Sequence, residues 1–174
     1  MASVIVGKYK GRKFYTCKDT KIRPTQGRVK KSAMQIIGPF EGSNVLDLFS
    51  GIGTLGIEAL SRGASSATFV EMHYSSMKYL KKNINHICPN DKINIVQEDV
   101  FSFLKSCNNK FDIILADPPY KKVDMSKLHD LVKNILSENG KYFIEMKRFQ
   151  IEESKDIRIK YYGNTQVVFG WKKN

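Results

Sequence analysis

The sequence predicts an α/β fold with a largely parallel β-sheet that ends in an antiparallel hairpin. From Asn44 onward, apolar runs of strand length alternate with amphipathic helical patterns, which is typical of βαβ units. The stretch VLDLFSGIGTLGIEAL adds the glycine spacing G-x-G-x-x-G, which fits the turn of a nucleotide-binding βα unit. A Gly163-Asn164 turn between IRIKYY and TQVVFGW indicates the closing hairpin.

Each predicted element follows from an apolar pattern and a stop signal. The helix after the first strand closes at Gly63, the next is stopped by Pro89, and the last ends near Gly140. The predicted strands are Val45–Phe49, Ala67–Val70, Ile93–Val96, Asp112–Ala116 and Tyr142–Glu145. The predicted helices are Thr54–Arg62, Ser75–Ile87, the short Phe101–Lys105 and Ser126–Leu136.

The first 40 residues are predicted to extend this domain with a β-hairpin and a helix. Val4–Val6 and Lys13–Thr16 have the apolar character of short strands, and a glycine-containing basic segment separates them. The segment RPTQGRVKKSAMQII has apolar residues at helical spacing and stops at Gly38-Pro39. We therefore divide the chain into a basic extension, residues 1–40, and a main domain, residues 41–174, which form one globular unit.

The net charge is +12, and most of it lies near the N-terminus. Residues 1–31 contain ten Lys and Arg against Asp19 alone, a local charge of +9. Charge concentrated in this way is expected of a surface that meets a polyanion, and nucleic acid is the leading candidate. A solvated basic segment without a partner is the alternative explanation.

Composition excludes several classes of protein. Cys17, Cys88 and Cys107 are odd in number and lack C-x-x-C spacing, so we expect reduced thiols in a cytoplasmic protein. The three histidines are scattered, and we expect no metal site. No stretch approaches the about 20 apolar residues that span a bilayer, so we expect a soluble protein without a membrane partner. We also expect a monomer.

Three acidic residues indicate which nucleotide cofactor binds at the glycine-rich turn. Asp47, Glu71 and Asp99 lie at the ends of three successive predicted strands, where open α/β sheets bind ligands. Glu71 can accept both ribose hydroxyls, and Asp99 can accept from an adenine amino group while the backbone of Val100 reads the ring. Asp47 lies within an otherwise apolar strand, where a carboxylate suits the ammonium group of a methionine moiety. The pattern favours S-adenosylmethionine over NAD.

The segment LADPPY, Leu115–Tyr120, follows the fourth predicted strand and indicates a reactive corner. Its two prolines fix the chain and leave nearby carbonyl groups available. The Asp117 carboxylate and the Pro118 carbonyl can accept hydrogens from an exocyclic base amine and align its nitrogen with a methyl donor. Tyr120 offers a ring on which an unpaired or flipped base can stack. A proline turn that simply leaves a strand is the alternative.

In four blocks, GKYKGRKF, RPTQGRV, DLFSGIGTLGIEALSRGA and ADPPY, the chain resembles the RsmD-type methyltransferases. The resemblance implies a Rossmann-like class I methyltransferase fold with a seven-stranded sheet. It also implies that S-adenosylmethionine donates a methyl group to N2 of a guanine in 16S ribosomal RNA. The RNA partner would be presented by the small ribosomal subunit or its assembly intermediate.

The site residues that we expect fall into three groups. The catalytic residues are Asp117, Pro118, Pro119 and Tyr120. The cofactor contacts are Asp47, Phe49, Gly51, Gly53, Glu71, Met72, Asp99, Val100 and Asp117, and the resemblance adds Thr25 and Arg28. The residues expected to bind RNA are Lys8, Lys10, Arg12, Lys13, Arg23 and Lys121.

Other functions remain open at this point. An adenine-N6 DNA methyltransferase could use the same amine-binding corner, but the chain has no additional segment to read a duplex groove. Methylation of protein glutamine is more usual with Asn at position 117, and the basic extension argues against it. A nucleic-acid-binding protein of the same fold without activity, and an NAD oxidoreductase, are the remaining alternatives.

Overall fold

A computed structural model of the protein describes residues 2–16, 24–119, 123–148 and 153–172. Within the first helix it describes the backbone throughout, but not the side chains of Pro24, Thr25, Gln26 and Arg28. None of the helices in these ranges combines the length and the apolar character that crossing a bilayer requires.

Seven strands form one sheet in the order β3-β2-β1-β4-β5-β7-β6. The first five are parallel to one another, and β7 runs antiparallel to both β5 and β6. This arrangement confirms the predicted parallel sheet with a C-terminal antiparallel hairpin. The strands are β1 Asn44–Leu48, β2 Ser66–Val70, β3 Lys92–Val96, β4 Phe111–Ala116, β5 Leu136–Lys147, β6 Ile157–Tyr162 and β7 Thr165–Trp171.

Helices cover both faces of the sheet. The helices are α1 Pro24–Ile37, α2 Thr54–Ser61, α3 Tyr74–Ile87, α4 Val100–Ser106 and α5 Met125–Asn134. One apolar core joins α1, α2 and α3 to the sheet face that carries Val45 of β1. A second core joins α4 and α5 to the face that carries Leu46 and Leu48. Because side chains alternate along a strand, Asp47 faces the same side as Val45 and lies under α1 and α2.

The two predicted strands of the N-terminal extension lie antiparallel to each other, but their pairing is short. An isolated antiparallel bridge joins Ser3 to Lys13, and the N–H of Val4 donates to the carbonyl of Arg12 at 3.0 Å. The N–H groups of Ile5 and Val6 donate to the buried Glu58 carboxylate of α2, at 2.7 and 3.1 Å. A side chain of the main domain therefore satisfies two N–H groups at the end of the short pairing.

Strand β5 begins six residues before the prediction, which also shortens the predicted helix Ser126–Leu136. The helix ends at Asn134, and Leu136 already pairs with Phe111 of β4. The pairing then shifts register, with Asn139 at φ 59°, before Lys141 pairs with Ile113. A bulge of this kind breaks the alternating pattern by which a strand is identified in a sequence.

Candidate active site

The candidate site lies at the carboxyl ends of β1 and β4, which are neighbours in the centre of the sheet. The helix after β1 packs on one face, whereas α4, which precedes β4, packs on the other. Where the connecting helices change from one face of an open α/β sheet to the other, a crevice opens at the carboxyl edge of the sheet. Such folds bind ligands in that crevice. Asp47 of β1 and Asp117, which follows β4, both lie there.

The glycine-rich turn after β1 departs from strand geometry at once. Phe49, which was predicted to close the strand, lies outside it with φ 55°, a strained conformation that costs a bulky residue about 1–3 kcal/mol. Gly51 and Gly53 also have positive φ values, 55° and 88°. At Gly56 a Cβ atom would lie 2.4 Å from the ring of Phe69, so only glycine lets α2 approach β2 this closely.

Asp47 holds the start of α2 and keeps one oxygen unpaired. Its side chain is 1% exposed, and Oδ2 accepts a hydrogen bond of 2.8 Å from the N–H of Gly56. Oδ1 is buried without a partner among the described residues. Burial raises the pKa of Asp47 to about 7, against the lowering effects of the Gly56 N–H and Lys30. A buried acceptor without a donor costs free energy, and a bound ammonium group would satisfy it.

Glu71 follows β2 directly and braces the glycine-rich turn. Its Oε2 accepts from the N–H of Gly51 at 2.8 Å, and its Oε1 accepts from the N–H of His73 at 2.7 Å. Each carboxylate oxygen has a second lone pair, so ribose hydroxyls can still donate to it. Met72 beside it is 52% exposed, an apolar side chain at the mouth of the crevice that a ligand could cover.

Asp99 follows the third strand, which ends at Val96 as predicted. Asp99 is the N-cap of α4, and its carboxylate accepts from the N–H of Ser102 at 3.0 Å. Its contact with an adenine amino group stays a prediction. The N–H of Val100, in the first turn of α4, has no acceptor within the helix.

Asp117 forms an ion pair that the sequence did not reveal. Its Oδ2 lies 3.1 Å from Nζ of Lys30, which also donates to the hydroxyl of Thr54 at 3.3 Å. Burial by itself lowers the pKa of Lys30, but the nearby carboxylates of Asp117, Glu145 and Asp47 outweigh it and raise that pKa. Lys30 is therefore charged at physiological pH. It joins α1 to both β4 and the start of α2.

The two prolines after Asp117 have different surroundings. Pro118 is buried, Pro119 is exposed, and both line a cleft of about 400 Å³ between the ends of β4 and β5. The cleft is continuous with the predicted reactive corner. Arg23, Tyr120 and Lys121 lie outside the described residues. Thr25 and Arg28 lie in α1 with only their backbone described.

The structure places Lys8 and Arg12 of the basic extension away from this edge of the sheet. Nζ of Lys8 contacts the Asp91 carboxylate at 2.7 Å, just before β3 begins, and the Lys8 N–H donates to the carbonyl of Ser61 at the end of α2. Arg12 donates to the carbonyl of Ile87 at 2.6 Å. These contacts lie at the amino ends of β2 and β3. Lys10 and Lys13 are exposed.

Comparison with known proteins places the chain in a family. The family model described as conserved hypothetical protein 95 matches residues 2–171. Over 121 residues the chain is 36% identical to "Ribosomal RNA small subunit methyltransferase D" of Haemophilus influenzae, covering 67% of this chain and 63% of that protein. The Escherichia coli protein of the same name is 32% identical over 138 residues, covering 79% and 67%. These matches confirm the family predicted from the four sequence blocks.

A solved structure gives the same result for the fold. The Escherichia coli protein named "Putative methyltransferase yhhF" superimposes with a TM-score of 0.87 at 25% identity, covering 99% of this chain and 98% of that one. The superposition includes the N-terminal extension and the C-terminal hairpin. It confirms the Rossmann-like class I methyltransferase fold.

Proposed function

Because the chain belongs to the conserved hypothetical protein 95 family, we propose that it methylates N2 of a guanine in small-subunit ribosomal RNA. The methyl donor is S-adenosylmethionine. When bound, it supplies a methyl group on a sulfonium centre that is already activated for transfer. The chain's own task is then to bind this donor, hold the base amine in line with it and exclude water.

The single observation that carries the proposal is the unpaired Oδ1 of Asp47 in the crevice. A dinucleotide would bring a pyrophosphate to this turn, where the buried carboxylate of Asp47 would repel it. A methionine moiety brings an ammonium group, which pairs with that carboxylate. Glu71 and the backbone of Val100 then lie where the ribose and the adenine ring would bind.

Asp117 is the group that we assign to the target amine. It lies one residue beyond β4, so its carboxylate and the Pro118 carbonyl reach the same crevice as Asp47. Two acceptors fix the plane of an exocyclic amine, and Lys30 keeps the carboxylate in position at 3.1 Å. The attacking nitrogen becomes cationic and then releases a proton to solvent water, and the carboxylate of Asp117 stabilises the charge until the proton leaves.

Ribosomal RNA is favoured over DNA by the relatives' names and by the charge of the chain. The net charge of +12 suits a polyanion, and unpaired RNA offers base edges without the cost of opening a duplex. Adenine N6 presents a similar amine, so the geometry of Asp117 and Pro118 admits both bases. The choice of guanine rests on the family.

A comparison of substrates tests this proposal. The protein and labelled S-adenosylmethionine would be incubated in three separate reactions, with undermethylated small ribosomal subunits, with duplex DNA and with a mixture of ribosomal proteins. We expect label in the RNA of the subunits alone, and none with Asp47→Ala. Label in DNA or protein would show that the substrate is not ribosomal RNA. Binding of NAD instead of S-adenosylmethionine would contradict the proposed methyl donor.

A further inference from the structure

A second surface of the molecule combines positive charge with an exposed aromatic ring beside the cleft. It consists of Lys147 and Arg148, at the end of β5, and Tyr161 of β6, and we name these three residues the hairpin patch. Lys147 and Arg148 are exposed, and the Tyr161 side chain is 57% exposed. The guanidinium carbon of Arg148 lies 5.3 Å from the centroid of the Tyr161 ring.

The sheet register places the hairpin patch at the same edge as the reactive corner. Lys147 pairs with Thr165, the first residue of β7, and the N–H of Arg148 donates to the carbonyl of Asn164 at 3.4 Å. The turn of the hairpin therefore lies at the carboxyl end of β5. That end is next to the carboxyl end of β4, where Asp117 lies.

The cleft connects the two features. Pro118 and Pro119 line it together with Lys147 and Arg148, and apolar surface comes from Val123, Met125 and Met146. Its volume of about 400 Å³ falls within the usual range for sites that enclose a small ligand. Asp124 is the acidic residue on its lining, and its carboxylate caps α5 by accepting from the N–H of Lys127 at 3.0 Å.

We infer that the hairpin patch binds single-stranded RNA next to the target nucleotide, an inference that rests on the proposed function. Lys147 and Arg148 would contact phosphates that flank the base in the cleft. Tyr161, held by Arg148, would stack on a neighbouring unpaired base. Stacking on an aromatic ring needs an exposed base face, which a duplex does not offer, and it tolerates any base.

The position of the hairpin patch favours it over Lys8 and Arg12 for RNA at the reacting base. Lys8 contacts Asp91, and Arg12 contacts the carbonyl of Ile87. Those contacts lie at the amino ends of the strands, across the sheet from Asp117. The hairpin patch borders the cleft that contains Pro118 and Pro119.

The test compares two charge-matched variants in the transfer assay. Lys147→Ala/Arg148→Ala removes two positive charges from the patch, and Lys92→Ala/Lys105→Ala removes two exposed charges from β3 and α4. We expect KM for undermethylated subunits to rise about tenfold in the first variant, with KM for S-adenosylmethionine unchanged. The control should retain wild-type constants. Loss of two phosphate contacts should also reduce the log–log salt slope by about 1.4.

A substitution of the aromatic ring provides an independent readout. Tyr161→Phe should keep the affinity for a short single-stranded RNA, measured by fluorescence anisotropy, and Tyr161→Ala should lower it about tenfold. The inference would be overturned if the patch and control double variants raised KM for the subunits equally. It would also be overturned if the wild-type protein bound a duplex of the same sequence as tightly as the single strand. A wild-type protein that transfers no methyl group to ribosomal RNA would instead overturn the proposed function.

Discussion

Lys30 of α1 and Asp117 of the D-P-P motif form an ion pair, with Nζ 3.1 Å from Oδ2. Both side chains are 23% exposed, so water screens the pair less than at an open surface. The pair joins the N-terminal extension to the residue that we assign to the target amine. Through Lys30 the extension therefore reaches the candidate active site, whereas Lys8 and Arg12 lie at the amino ends of β2 and β3.

Replacing Lys30 tests whether it positions Asp117. Lys30→Met should lower kcat at least tenfold, because the Asp117 carboxylate loses the cation that holds it. KM for S-adenosylmethionine should stay within about twofold when it is measured at about pH 9, because Lys30 also lowers the pKa of Asp47 and that carboxylate must be ionised in both proteins. Lys30→Arg should retain most of the activity. In an Asp117→Asn background, Lys30→Met should cause no further loss. Additive losses in the double variant would mean that Lys30 acts independently of Asp117.

Asp117→Ala should abolish transfer and leave cofactor binding nearly intact. The substitution removes an acceptor for the amine hydrogens, whereas the donor is held by other residues of the crevice. Calorimetric titration with S-adenosylhomocysteine measures binding, and incorporation of labelled methyl groups measures transfer. Parallel loss of both would show that Asp117 belongs to the cofactor site instead.

The ionisation of Asp47 should make cofactor affinity depend on pH. Its pKa is raised to about 7 by burial, so the carboxylate is protonated below that pH and cannot pair with an ammonium group. Affinity for S-adenosylhomocysteine should fall roughly tenfold per pH unit below about 6.5, and level off above about 7.5. Asp47→Asn should bind weakly at every pH and lose this dependence. An unchanged pH profile in that variant would assign the ionisation to another group.

The exposed lysines of the extension can be separated from those that attach it to the main domain. Lys10→Ala/Lys13→Ala should weaken RNA binding and reduce the log–log salt slope by about 0.7–0.9 for each lost phosphate contact. Arg12→Ala should instead lower the melting temperature, because Arg12 contacts the carbonyl of Ile87 at 2.6 Å. An unchanged salt slope in the lysine variant would show that Lys10 and Lys13 do not contact RNA phosphates.

Local patterns in the sequence predicted most of the fold and the acidic residues of the site. Strand length, helical periodicity and the glycine spacing are encoded within a few residues of one another, and they placed Asp47 in β1 and Glu71 directly after β2, as in the structure. The partner of Asp117 is different, because 87 residues separate it from Lys30 in the sequence. No local pattern distinguishes Lys30 from exposed Lys31, its neighbour on the same helix.

The departures from the predicted elements have a common physical origin in tertiary contacts. Val4 donates to the carbonyl of Arg12 as in a hairpin, but the Glu58 carboxylate of α2 accepts from the N–H groups of Ile5 and Val6. Lys8 and Arg12 also contact acceptors within the protein, and their contact with RNA stays a prediction. A sequence shows that a donor exists, whereas the fold decides which acceptor it meets.

The most direct test of the central claim identifies the methylated nucleoside. Undermethylated small ribosomal subunits would be incubated with labelled S-adenosylmethionine and the protein, and the RNA would be digested to nucleosides and analysed by mass spectrometry. We expect label in N2-methylguanosine with the wild-type protein and no label with Asp117→Ala. Label in N6-methyladenosine, or in any nucleoside other than N2-methylguanosine, would contradict it.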